Sequence, residues 1–254
     1  MTSVEVRERA EKIRSSFEAS QTNRPLLMSE KTVARYFAPS ETTASPLEYA
    51  YHLLGDVKGK TVLELGCGDG LNTVMLAKRG ANVIAFDLSA ELLELARKRV
   101  EANGCRGVEF LLASAHSLPL KDESVDVVFG MAILHHLDLE IATENVRRVL
   151  KKGGRGIFKE PLRNSKLLAR VRQFFPTRAD VSPYERPLTD QEIRRFGTPY
   201  IRRARTFQLP TTSIAGLLPV WSGRATMFCA DVDRQLLRRF PSLAYTARVF
   251  EMVK

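Results

Sequence analysis

Gly66, Gly68 and Gly70 stand at alternate positions directly after the apolar run Val62-Leu63-Glu64-Leu65, and Asp87 closes the next apolar run. That set can bind a nucleoside. The glycines let the backbone turn sharply and approach a ligand without interference from Cβ, and a carboxylate about 20 residues on can take both hydroxyls of a ribose. Further along, the adjacent His135 and His136 follow another apolar run and could take a proton from a reacting group. Glu160 closes a fifth run. There it could bind a cationic or hydroxylated ligand, or cap the helix after Pro161.

The glycine spacing alone fits two ligand classes, a dinucleotide or S-adenosylmethionine, so the charges around the turn have to decide. A dinucleotide turn must accept a pyrophosphate on bare N–H groups at a helix N-terminus, and its sixth motif position calls for glycine, where this chain has Leu71. Glu64 and Asp69 beside the turn would repel a pyrophosphate. They suit the ammonium and sulfonium of S-adenosylmethionine, the ligand expected here.

Four more blocks follow the glycine block in order: Val-Ile-Ala-Phe-Asp-Leu-Ser (83–89), Ser-Leu-Pro-Leu-Lys-Asp-Glu-Ser-Val-Asp-Val-Val-Phe (117–129), Leu-His-His-Leu (134–137) and Lys-Lys-Gly-Gly-Arg-Gly-Ile-Phe-Lys-Glu-Pro (151–161). With them, the segment from Val62 to about Pro161 resembles a class I (seven-strand) S-adenosylmethionine-dependent methyltransferase of the small-molecule branch. The resemblance implies roles position by position. Glu64 and the turn from Gly66 through Cys67, Gly68 and Asp69 to Gly70 would hold the amino-acid end of the cofactor, Glu64 acting through backbone or water. Asp87 would chelate the ribose diol and Leu88 would lie against the adenine. Many relatives have an acid where this chain has Ser114; the adenine amine would then be met by backbone at Ala115 and by His116. Met131, at the end of the fourth strand, completes the expected cofactor wall. Methyl transfer chiefly requires an oriented acceptor. A base is needed only if the nucleophile must lose a proton, and of His135 and His136 at most one is expected to face the acceptor. Glu160 joins them as a catalytic candidate.

With 254 residues, 44% of them hydrophobic, the chain can hold one α/β domain with a full core. It has no run of 18 apolar residues, and a charged N-terminus stands where a signal peptide needs an apolar stretch, so a cytoplasmic protein is expected. Cys67, Cys105 and Cys229 are odd in number and far apart, which suggests neither a disulfide framework nor a metal site. The net charge of +10 is uneven: residues 151–210 hold 15 Lys or Arg against 5 acids, and residues 1–150 hold 18 against 21. Such a basic stretch can recruit nucleic acid, anionic lipid or an acidic substrate, or can be a solvated face.

The elements that must position these residues follow from periodicity. In residues 1–56 Val6, Ala10, Ile13 and Phe17 recur at helical spacing, and Ser45-Pro46-Leu47-Glu48 reads as a capping box whose helix ends at Gly55. This region is expected to form a helical lid, with Tyr36, Phe37, Tyr49 and Tyr51 supplying aromatic surface to it or to the core. Residues 57–254 are expected to form the Rossmann-like domain: a doubly wound, mostly parallel seven-stranded α/β sheet with helices on both faces. Its strands are predicted near 61–65, 82–87, 107–112, 124–130, 155–160, 203–209 and 243–253. Residues 161–202 read as a basic helical insertion. In it Leu167, Leu168, Val171, Phe174 and Phe175 share one arc flanked by Arg163, Lys166, Arg170 and Arg172. That arc could face a membrane, an anionic acceptor or the protein's own core.

The expected function is methyl transfer to O, N or C of a small hydrophobic metabolite, natural-product-like or lipid-like, with the stretch 207–221 contributing an apolar acceptor cavity. Two alternatives stand beside it, methylation of RNA or DNA and a non-catalytic cofactor-binding scaffold. Against nucleic acid, Gly130-Met131-Ala132-Ile133 lacks the Asn or Asp-Pro-Pro-aromatic sequence of enzymes that act on base amines, and no RNA-binding module is visible.

Overall fold

The computed structural model describes residues 2–162, 186–197, 201–207, 223–240 and 247–254. The basic arc at 163–175 and most of the stretch 207–221 lie outside these residues. Three helices precede the first strand: α1 (Ser3–Gln21), α2 (Glu30–Phe37) and α3 (Pro46–Leu54). α1 opens with a reciprocal capping box between Thr2 and Glu5. α3 starts on the Ser45 hydroxyl, with Pro46 in its first turn, and stops at Gly55, whose φ of 56° suits glycine. Its box is one-sided, because Glu48 turns instead to Arg35 and Thr43.

The two ends of this region are used differently. α3 packs on the sheet: Tyr49 and Tyr51 are buried, and the Tyr51 ring lies 5.2 Å from that of Phe129. α1 inverts the usual arrangement of an amphipathic helix. The periodicity of Val6, Ile13 and Phe17 correctly marks a helix, yet those residues are 37%, 66% and 53% exposed, while Glu11 and Ser15 are buried. The polar face of α1 is the one turned toward the protein.

The central segment alternates strand and helix: β1 (Thr61–Leu65), α4 (Leu71–Lys78), β2 (Asn82–Asp87), α5 (Ala90–Ala102), β3 (Val108–Leu112), β4 (Val125–Met131), a 3-10 turn (Leu134–His136), α6 (Leu139–Val149) and β5 (Leu150–Pro161). Then come α7 (Asp190–Gly197), β6 (Ile201–Phe207), α8 (Gly223–Arg239) and β7 (Ala247–Val253). One sheet has the order β3-β2-β1-β4-β5-β7-β6, parallel except where β7 runs antiparallel between β5 and β6. β5 begins at Leu150, earlier than 155, because Leu150 still pairs with Val125 ahead of a bulge; the intervening Lys-Lys-Gly-Gly carries no apolar signal. The fully buried Val249, Phe250, Glu251 and Met252 explain why β7 shows no clean alternation: it is an interior strand covered on both faces.

The sheet divides the core in two. On one side Leu63, Leu65, Phe158 and Phe250 pack with α6 and α7; on the other Val62, Phe129 and Ile157 pack with α3, α4 and α5. The order in which strands are added reverses at β1, with β2 on one flank and β4 on the other. The carboxyl ends of β1, β2 and β4 therefore border the crevice in which doubly wound sheets bind ligands.

Candidate active site

β1 ends in the glycine turn because each step of it needs a conformation or a space that a side chain would spoil. Gly66 has φ 71°, and a Cβ there would meet Ile133 Cδ1 at 2.7 Å; Gly70 has φ 82°, and a Cβ would meet the Ala96 backbone at 2.7 Å. Asp87, at the end of β2, is fixed beside the turn. Gly68 N donates to its Oδ2 (2.9 Å) and Ser89 N to its Oδ1 (3.0 Å). Burial raises its carboxyl above the usual range, and the backbone donors of Ser89, Gly68 and Leu88 pull it back.

The other acids of the turn lie behind it. Glu64 is 2% exposed and accepts from Thr73 Oγ1 at 2.5 Å, while its Oε1 is buried without a hydrogen bond among the described residues. Burial pushes its carboxyl up to about 8. Asp69 is taken by Arg99 and Arg24, each at 3.2 Å, and Arg99 also donates to Asp69 O and to Pro25 O. These bonds pin the segment after α1 over the turn. Cys67 is buried, its thiol raised well above the ordinary range first by burial and then by the Glu64 and Asp87 charges. The charge that sequence reasoning assigned to Glu64 and Asp69 is thus raised toward neutrality in one and paired in the other, and neither lines the cavity.

At the far end of β4 the backbone takes a rare step. Ala132 has φ 58° and donates its N–H to Lys159 O at 2.7 Å, which turns the chain into the 3-10 turn. Glu160, fully buried, organises that turn: Oε1 accepts from Ile133 N and Leu134 N, both at 2.9 Å, and Oε2 lies 2.8 Å from His135 Nδ1. Both carboxylate oxygens are engaged, so Glu160 sits behind His135 and off the cavity wall. The two histidine rings lie 4.0 Å apart at 40°, and both line the cavity, because the tight turn folds them to the same side. His136 Nδ1 approaches Glu11 Oε2 at 3.0 Å without the alignment of a hydrogen bond.

α1 closes the cavity from above. Arg7 Nη1 donates to Leu137 O (2.5 Å). Glu8 Oε1 pairs with His116 Nδ1 (2.8 Å) and accepts from Ser114 Oγ. Asp138 N donates to His116 Nε2 (2.9 Å), so the imidazole carries its proton on Nδ1 and gives it to Glu8. The resulting cavity has a volume of about 340 Å³. Gly66, Gly68, Asp87, Leu88, Ser114, Ala115 and Met131 line it together with His135 and His136, while Glu64, Cys67, Asp69 and Glu160 stand behind. Arg7, Glu8 and Glu11 are wall residues that sequence reasoning missed. The available signal was a polar face at 7, 8, 11, 15 and 18, eclipsed by the apolar stripe. A second groove of about 780 Å³, bordered by α6 and α7, meets the cavity at His135, Arg7 and Leu137. Leu139, Leu188 and Phe196 contribute apolar surface to it, and Arg147, Arg186 and Glu192 charged groups.

A sheet of this order with a glycine turn and an acid at the ends of its first two strands has the fold of the class I Rossmann-like methyltransferases. Residues 63–158 match the family described as Methyltransferase domain. It is 34% identical over 159 residues to a malonyl-[acyl-carrier protein] O-methyltransferase from Hamiltonella defensa, covering 60% of this chain and 58% of that one. It is 37% identical over 100 residues to a demethylmenaquinone methyltransferase from Clavibacter sepedonicus, covering 39% and 40%. The chain thus spans about half the length of these curated relatives. In fold it is similar to geranyl diphosphate C-methyltransferase from Streptomyces coelicolor A3(2), a structure containing S-adenosyl-L-homocysteine. The TM-score is 0.56 at 17% identity, over 81% of this chain and 78% of that one. Among the described residues no helix is long and apolar enough to cross a membrane.

Proposed function

We propose that the protein transfers a methyl group from S-adenosylmethionine to O, N or C of a small metabolite with an apolar body. The observation that carries this reading is the continuity of one cavity from Asp87 and the glycine turn, at the ends of β1 and β2, to His135 after β4. Its volume suits a nucleoside-sized ligand. The acidic and backbone groups beside it fit such a cofactor: Asp87 for the ribose diol, the Gly66–Gly68 backbone for the amino-acid end, and Phe86 and Leu88 for the base. When bound, S-adenosylmethionine supplies an electrophilic methyl and its own leaving group.

The chain's own residues then enclose and orient. α1 roofs the cavity. Glu160 holds His135 with Nδ1–H donating to the carboxylate, which presents Nε2 as the proton acceptor for a hydroxyl or amine nucleophile. Glu160 is on this reading a positioning residue. The second groove brings the acceptor to His135, its leucines and Phe196 matching an apolar body and its charged residues a polar end. That match, and the roof over the cavity, favour a small acceptor over a nucleic acid strand. Relatives named as O-methyltransferases and quinone methyltransferases support the same class of acceptor. A screen of small hydroxylated and amino acceptors with radiolabelled S-adenosylmethionine tests the proposal; binding of the cofactor without transfer to any acceptor would favour the scaffold reading.

A further inference from the structure

We propose that Glu8, on α1, selects adenine: its second carboxylate oxygen accepts the exocyclic amine of the cofactor's base and supplies the acid that the end of β3 lacks. This rests on the cavity being an S-adenosylmethionine site. The strand order assigns the parts of such a ligand. With the ribose on Asp87, the β4 side of the cavity holds Met131 and the histidine turn, and the β3 side holds an apolar slot of Phe86, Leu88, Ala113 and Ala115. A flat base fits the slot. The polar edge of that slot is Ser114, His116 and Glu8.

Ser114 cannot serve the amine well. Its proton is given to Glu8, and its Oγ already accepts from His116 N at 3.0 Å. His116 is equally committed, donating from Nδ1 to Glu8 and accepting at Nε2 from Asp138 N. Both side chains converge on Glu8 Oε1, while Oε2 makes no hydrogen bond among the described residues. Glu8 lines the cavity with that oxygen still able to accept. An ionised carboxylate only accepts. Adenine presents an amino group at this edge; hypoxanthine presents a carbonyl oxygen, which a carboxylate repels. The two donors on Oε1 hold the carboxylate in place before the ligand arrives, so the arrangement is built for a base that donates.

The test is calorimetric binding of S-adenosylhomocysteine and of its hypoxanthine analogue to the full chain. A hydrogen bond to a charged group corresponds to about a 10- to 150-fold preference for the adenine compound in the wild type. Glu8→Gln, whose amide can also donate, is expected to bring the two affinities within about threefold of each other. Arg7→Ala loosens α1 at Leu137 but leaves Glu8, and is expected to weaken both ligands alike and keep the preference. If Glu8→Gln binds S-adenosylhomocysteine and retains the wild-type ratio, Glu8 does not read the base. An equal collapse of the ratio in Arg7→Ala would assign the selectivity to helix closure and overturn the proposal. Binding of neither compound by the wild type overturns the cofactor reading, and this proposal with it.

Discussion

Replacing Glu64 with glutamine is expected to make the protein more stable at neutral and alkaline pH. Glu64 is buried on the side of the sheet covered by α4, with Thr73 Oγ1 as donor to Oε2 and, among the described residues, no hydrogen bond to Oε1. Its carboxyl is raised from 4.5 to about 8, chiefly by burial. At about 1.4 kcal/mol for each tenfold change in proton affinity, that rise is about 5 kcal/mol. A raised carboxyl means that the folded chain keeps a proton that the unfolded chain has lost. The associated stability is full below pH 4.5 and is lost as pH climbs through about 8, with about 3 kcal/mol gone by pH 7. Glutamine keeps the acceptor for Thr73 and has no charge to bury. Urea unfolding of both proteins from pH 5 to pH 9 should give nearly equal stabilities at the acid end, and a gap that opens toward about 5 kcal/mol above pH 8. Groups remote from Glu64 are common to both proteins and cancel, and Cys67 and Tyr51, which its charge helps to raise, are held well above their ordinary values chiefly by burial. Parallel stability curves across that range would refute the argument, since they would mean that Glu64 is ionised throughout.

Asp87→Ala should weaken S-adenosylhomocysteine about 10- to 150-fold in calorimetry, the cost of a charged hydrogen-bond partner; unchanged affinity would remove Asp87 from the site. His135→Ala should lower turnover about 10²- to 10⁴-fold with cofactor affinity intact. Glu160→Gln, which keeps an acceptor for His135 but not the charge, should cost less and move the acid limb of the pH–rate profile; an unmoved profile would return Glu160 to a purely structural role. Gly70→Ala, forced to φ 82° with its Cβ 2.7 Å from the Ala96 backbone, should destabilise by about 1–3 kcal/mol in thermal or urea unfolding.

Much of the architecture was legible because the parallel strands announce themselves. Val62–Leu65, Val83–Phe86 and Val125–Phe129 are apolar runs bounded by turn residues, and their ends fixed the positions of Gly66, Asp87 and Met131. The chemistry around those positions was less so. Glu64 and Asp69 sit at matching places in the sequence, yet one is buried on the core side and the other is tied to Arg99, a partner thirty residues away that no local pattern announces. Glu160 was visible as an acid at a strand end, but its hold on His135 depends on β5 lying beside β4, a pairing that appears only in the assembled sheet. α1 misleads for the opposite reason. Its apolar spacing correctly marks a helix but does not tell which face turns inward, because the surface it meets is a polar cavity rim.

The roof over the cavity also reverses the order of the chain. α1 is synthesised well before the groups it holds: Leu137 lies 130 residues after Arg7 and His116 108 residues after Glu8. With Val6, Ile13 and Phe17 turned outward, the helix has little apolar surface to bury early against whatever has emerged. Its polar contacts have to await β3, β4 and the histidine turn, and contacts so distant in sequence close slowly. A nascent chain that has finished β2 already holds the glycine turn and Asp87, but has no enclosed chamber. The ligand space comes into being only when this helix settles on groups made more than a hundred residues after it.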